Sequence, residues 1–116
     1  MADFERIYSD NVAVVVVNLS RCTIYHQKEF KKIIEDELKE GKCKLIIDLA
    51  KCKYIGSHFL SALVGTVHRV NEKCGKIKIV EPENLKQDTF EETGTRQLFD
   101  FYKTSVDALK SFEKNE

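Results

Sequence analysis

Residues 44–80, KLIIDLAKCKYIGSHFLSALVGTVHRVNEKCGKIKIV, constrain the fold more than any other stretch of the chain. They open on Leu45, Ile46, Ile47 and Leu49, an apolar run too short for a helix and rich in residues that suit a pleated surface. After a short connection, Leu60, Leu63, Val64, Val67 and Val70 recur at helical spacing over residues 57–73, and Gly75 supplies a stop. Residues 76–81 then alternate, with Ile77 and Ile79 on one face, until Pro82 closes them. Strand, helix and strand in that order demand a parallel pair with a right-handed crossover. Gly65 lies inside the helical stretch, where it costs about 1 kcal/mol relative to Ala. A close approach of helix to sheet is the expected compensation.

The flanking segments extend the same architecture. Residues 4–8 and 12–19 read as a hairpin around the turn chemistry of Ser9, Asp10 and Asn11. The second of these strands, with Val12 and Val14 to Val17, is too apolar for a half-wet strand and predicts cover on both faces. Residues 20–25 connect it to a helix over residues 26–40, whose stripe is Phe30, Ile33, Ile34 and Leu38 and whose stop is Gly41. Further on come a short helix at residues 83–92 around Leu85 and Phe90, an edge strand at residues 98–102, and a closing helix. The closing helix starts on Thr104-Ser105-Val106-Asp107, a capping-box-like sequence, and buries Val106, Leu109 and Phe112. The result is a single α/β domain over residues 1–116, in the order β-β-α-β-α-β-α-β-α.

Bulk properties narrow the function. Lys plus Arg and Asp plus Glu both number 19, so the formal net charge is zero. Broad attraction to nucleic acid or to anionic lipid is not expected. The basic residues, among them Lys31, Lys32, Lys42, Lys44, Lys51, Lys53, Lys76 and Lys78, read as solvated edges and faces. Cys22, Cys43, Cys52 and Cys74 show no Cys-x-x-Cys spacing, and no apolar signal segment is evident, which points to a reduced, cytoplasmic chain without a zinc site. The longest apolar run, residues 12–17, is far short of the roughly 20 residues that span a bilayer.

One residue stands out as a candidate for chemistry. Ser57 falls where the connection turns into the central helix. A hydroxyl there is either an N-cap, worth about 1 kcal/mol, or a modifiable switch. Asp48, at a strand's carboxyl end, reads as a carboxylate that ties down the following loop. His58 reads as a partly exposed first-turn residue, and His26 and His68 as surface or half-buried side chains. Ser57, His58 and Asp48 do not make a triad: neighbours at a helix start point in different directions, and neither a Gly-x-Ser-x-Gly elbow nor a Gly-rich phosphate loop is present.

Order and spacing together resemble a known family. Leu45-Ile46-Ile47-Asp48-Leu49 followed by Cys52-Lys53-Tyr54-Ile55-Gly56-Ser57, then Gly75-Lys76-Ile77-Lys78-Ile79-Val80, Thr93-Gly94 and Leu98-Phe99, is similar to the STAS domain of bacterial anti-sigma factor antagonists. The resemblance runs from the hairpin to the last helix. It implies a mixed sheet of about five strands with four helices. In that family the first Ser of Asp-Ser-Ser-Gly is phosphorylated by a partner that is both kinase and anti-sigma factor, and Ser57 falls on that position. Gly56, His58 and Phe59 stand where the family carries Asp, the second Ser and Gly, and residues 20–25 lack the acidic residue common in that loop. The resemblance therefore implies a non-enzymatic, cytoplasmic regulator that binds an anti-sigma factor with serine kinase activity and is served by a serine phosphatase. Phosphorylation would fall on Ser57, and docking on Gly56, Ser57, His58, Ser61 and Thr23. It implies no cofactor, no metal, no direct nucleic-acid or membrane contact, and a monomer or weak dimer. The alternative is a non-phosphorylated STAS-type scaffold in a signalling complex.

Overall fold

The computed structural model describes residues 2–114. In chain order the described residues form β1 (Phe4–Ser9), β2 (Val12–Val17), β3 (Arg21–Cys22), α1 (Ile24–Lys39), β4 (Lys44–Asp48), β5 (Tyr54–Ile55), α2 (Ser57–Glu72), β6 (Lys76–Val80), α3 (Thr89–Thr93), β7 (Phe101–Tyr102) and α4 (Ser105–Lys114), with a 3-10 turn at Arg96–Leu98. Five strands make one sheet, ordered β1-β2-β4-β6-β7. β1 runs antiparallel to β2, and the remaining neighbours are parallel. The hairpin turns at Asp10, whose φ of 53° lies in the left-handed region that a short polar side chain tolerates.

Helical periodicity and strand pattern explain the layers. α1 and α2 lie on one face of the sheet, where Phe30, Ile33, Ile34, Phe59, Leu60 and Leu63 pack against Val15, Val17, Leu45 and Ile47. Phe30 meets Phe59 with ring centroids 5.2 Å apart, which joins the two helices near their starts. On the other face, α4 lays Ala108 and Phe112 over Val12, Val14, Ile46 and Val80. β2 is thus covered on both sides, as its unbroken apolar run requires.

Several expectations are corrected. α1 begins at Ile24 rather than residue 26, because Thr23 caps it. The helix expected over residues 83–92 is only the five-residue α3, since the preceding loop is drawn toward β5 by a bond from the Lys86 N–H to the Lys53 carbonyl. The edge strand expected from residue 98 shortens to Phe101–Tyr102, behind the 3-10 turn. Val106 is 55% exposed, and Ala108 takes its place under α4. On α2, Val64 and Val67 are only half-buried, while Phe59, Ala62 and Thr66 are buried.

Two glycines exchange roles. Gly65 is exposed, and a Cβ there would meet nothing within 4 Å, so no close approach compensates it. It instead helps to open a groove of about 250 Å³ between Ile34 of α1 and Ala62 and Thr66 of α2. The close approach is at Gly75, where a Cβ would lie 2.4 Å from the Cys43 carbonyl oxygen. The turn that ends α2 is made by Cys74, at φ 58°.

Lys78 is the sharpest departure. The alternation of β6 puts it on the α4 face, and it is buried rather than solvated. Its Nζ donates to Ser111 Oγ at 2.5 Å and lies 4.2 Å from the centre of the Phe112 ring and 5.2 Å from that of Tyr102. The aliphatic stem shares the apolar layer, and the rings and hydroxyl receive the charge.

Candidate functional site at the start of α2

The site is built where three loops meet at the carboxyl ends of the parallel strands. The Gly56 N–H donates to the Cys22 carbonyl at 2.8 Å, and the Lys53 N–H to the Ser20 carbonyl at 2.7 Å. Between these bonds β3 and β5 pair in parallel, Arg21 beside Tyr54 and Cys22 beside Ile55. The Arg21 guanidinium lies over the Tyr54 ring, 4.5 Å from its centre. Beneath them the buried thiols of Cys22 and Cys52 touch, Sγ to Sγ 3.2 Å. Their hydrogen bond, and then burial, push the Cys22 thiol well above its ordinary value, so it stays protonated. The loop before α1 and the loop before α2 are thereby fixed as one unit.

On this support Ser57 is the first residue of α2 and not its cap. Gly56 holds the N-cap position, with φ −74° and ψ 159°, and no side chain bonds the first-turn N–H groups. Of the two roles open to Ser57, N-cap or switch, the N-cap is corrected by this one-residue shift. Ser57 is exposed, and among the described residues its hydroxyl has no hydrogen-bond partner. His58 and Ser61 are exposed as well, and Ser61 follows Ser57 by about one helical turn, on the same side. The buried neighbour is Phe59, which fills the core where the family motif has Gly.

Thr23 is close to these residues but occupied. Its Oγ1 accepts from the Tyr25 N–H at 3.3 Å, and its own N–H donates to His26 Nδ1 at 3.1 Å, a capping box with His in the place of the usual Glu. Asp48 does what its position implies: Oδ1 accepts from the Ala50 N–H at 3.0 Å. No hydrogen bond links Asp48, Ser57 and His58 among the described residues, and no cluster of His, Cys, Asp and Glu there could hold a metal ion.

Sequence reasoning missed three features of the site. The β3–β5 pair and the Cys22–Cys52 contact join segments about 30 residues apart, which local periodicity does not reveal. Tyr25, 90% exposed, and Ile24, 44% exposed, stand outside the buried stripe of α1. Their signal was available, because both are out of phase with Phe30, Ile33 and Ile34.

A five-stranded mixed sheet with two long helices on one face and one on the other, its parallel strands ending around the start of α2, defines a class of small α/β domain. The chain belongs to the STAS domain family, which matches residues 5–108. No curated protein matches it in sequence. Among solved structures it is similar to an anti-sigma factor antagonist from Mycobacterium paratuberculosis, with 23% identity over 93% of this chain and 91% of that one and a TM-score of 0.80. It is also similar to an anti-sigma factor antagonist (STAS) domain protein from Planctomyces limnophilus, at 20% identity over 96% and 98% and a TM-score of 0.77. The Bacillus cell fate determinant SpoIIAA in its phosphorylated form shares 12% identity over 94% and 98%, with a TM-score of 0.71. At these identities the likeness establishes the fold.

Proposed function

We propose that this chain is an anti-sigma factor antagonist-like regulator that docks on an anti-sigma factor with serine kinase activity and is released by phosphorylation of Ser57. The docking surface is the start of α2 with Gly56, Ser57, His58 and Ser61, beside the loop that carries Thr23. The observation that carries this reading is the Ser57 hydroxyl itself, exposed and without a hydrogen-bond partner among the described residues at the first position of a sixteen-residue helix whose cap has no side chain. A phosphate there faces free N–H groups and the positive end of the helix dipole, so the fold tolerates it. It adds about −1.5 to −2 charges, which a docked partner must desolvate. A few kcal/mol of penalty lowers affinity by about two to three orders of magnitude. A serine phosphatase would reverse the state.

The protein acts in this reading as a single-domain, cytoplasmic binding module, monomeric or weakly dimeric, rather than as an enzyme. The separation of Asp48, tied to its loop, from Ser57 and His58 supports that view. No helix among the described residues is long and apolar enough to cross a membrane.

The test is incubation with candidate anti-sigma kinases and ATP, followed by mass spectrometry. Phosphate on Ser57 alone is the expected result, and modification elsewhere sinks the proposal. Ser57→Asp should weaken binding about a hundredfold while the melting temperature stays within a few degrees. A second reading, the non-phosphorylated scaffold, draws support from Gly56 and the buried Phe59, which depart from the family motif at the serine. Retained kinase binding without any modification would select it.

A further inference from the structure

A net charge of zero hides a division of the surface. Residues 18–28 and 49–71 contain no Asp or Glu, although the chain has 19. The same two segments hold all three histidines, His26, His58 and His68. They are the segments that β3 and β5 pair together around Ser57. Arg21, Lys28, Lys51 and Lys53 are exposed there, and among the described residues none of the four is in an ion pair. Arg69, at the far end of α2, is neutralised by Glu35 at 2.8 Å. Carboxylates border the face: Glu29 is exposed one helical turn after Tyr25, and Asp48 is tied to the Ala50 N–H. Glu5 is bonded to Asn18, which in turn accepts from Lys51 Nζ, and Glu83 lies on the neighbouring loop with Lys86.

We infer that this end of the molecule is a basic docking face with an apolar anchor, and that its partner presents an acidic protein surface. The inference rests on the docking role proposed above, but not on phosphorylation. Its anchor is Tyr25 with Ile24, the large side chains left standing in water at the start of α1. Exposed Tyr beside a charged rim is the usual composition of a binding hot spot. The exposed cations outside ion pairs among the described residues are few, whereas a nucleic-acid interface neutralises many phosphates at once. A phosphate on Ser57 would cancel much of the local positive charge. It would then act on the encounter with an acidic partner as well as on the docked state.

The first test uses the isotopically labelled chain, titrated with an oligoglutamate peptide at low salt and followed by amide shifts. Shifts confined to residues 20–28 and 51–61, lost at high salt and in Arg21→Glu/Lys53→Glu, support the inference. Absent shifts, or shifts spread to Lys39 and Lys110 on other faces, overturn it. A short DNA duplex that binds the same residues more tightly than the peptide replaces it with a nucleic-acid face. The second test measures association with a candidate anti-sigma kinase. The double charge reversal should slow association about tenfold or more, with Lys39→Glu/Lys110→Glu as the control that leaves it unchanged. A kinase that docks equally well on the reversed face refutes the acidic partner and spares the proposed function. An oligoglutamate site on this face with no kinase docking refutes the proposed function and spares the basic face.

Discussion

α1 and α2 are each sixteen residues long and lie together on one face of the sheet, yet their ends are made differently. α1 starts on a full capping box, Thr23 with His26, whereas α2 starts on Gly56 with no side-chain cap. Both finish in the same hydrogen-bond pattern. The Gly41 N–H reaches the Leu38 carbonyl and the Lys42 N–H that of Glu37, while those of Cys74 and Gly75 reach Asn71 and Val70. In α1 the left-handed residue is Gly41, at φ 81°, and in α2 it is Cys74, at φ 58°. α2 is therefore held at its finish, by the contact of Gly75 with Cys43, and left open at its start. A first-turn hydroxyl that carries no stabilising duty is free to change its charge without unfolding the helix behind it.

The largest way to break this contrast is Gly75→Ala. The added methyl meets a backbone oxygen at 2.4 Å, and a cost of about 2 kcal/mol or more is expected by denaturant unfolding. Thr23→Ala removes the cap of α1 and should cost about 1 kcal/mol, a fall of about 5 °C in melting temperature. Cys74→Gly relieves the left-handed cysteine and should stabilise by about 0.5 to 1 kcal/mol in the same assay. Gly56→Asp gives α2 the cap it lacks. Its Cβ would make ordinary contacts, none nearer than 3.5 Å, and a gain of about 0.5 kcal/mol is expected. Ser57→Ala should change stability by less than about 0.5 kcal/mol. A loss as large as that of Thr23→Ala would show that Ser57 does carry α2's start after all.

Most of the fold was legible because its signals are local. The apolar runs of β2 and β4, the spacing of Phe30, Ile33 and Ile34, and Gly41 as a stop all act within a few residues. The parts that were not legible depend on distant partners. Nothing near Arg21 or Cys22 in the chain announces β5, and nothing near β6 announces that α4 will cover Lys78. At the site the serine was found but its place was off by one, because Gly and Ser both suit an N-cap and only the backbone angles at Gly56 decide between them. Gly75 was identified as a conformational stop when its smallness is what matters, since Cys74 adopts the left-handed turn in its place.

Lys78 gives the two layers unequal resistance to water. When solvent enters between α1, α2 and the sheet, it meets mostly hydrocarbon and a Glu37 carboxylate that Arg6 and Tyr8 already hold, so it gains little in return. When it enters under α4, it rehydrates an ammonium that no carboxylate among the described residues pairs with, and that hydration offsets part of the lost packing. The sheet's rear cover is thus expected to lift first, its amides exchanging with solvent before those of α1 and α2.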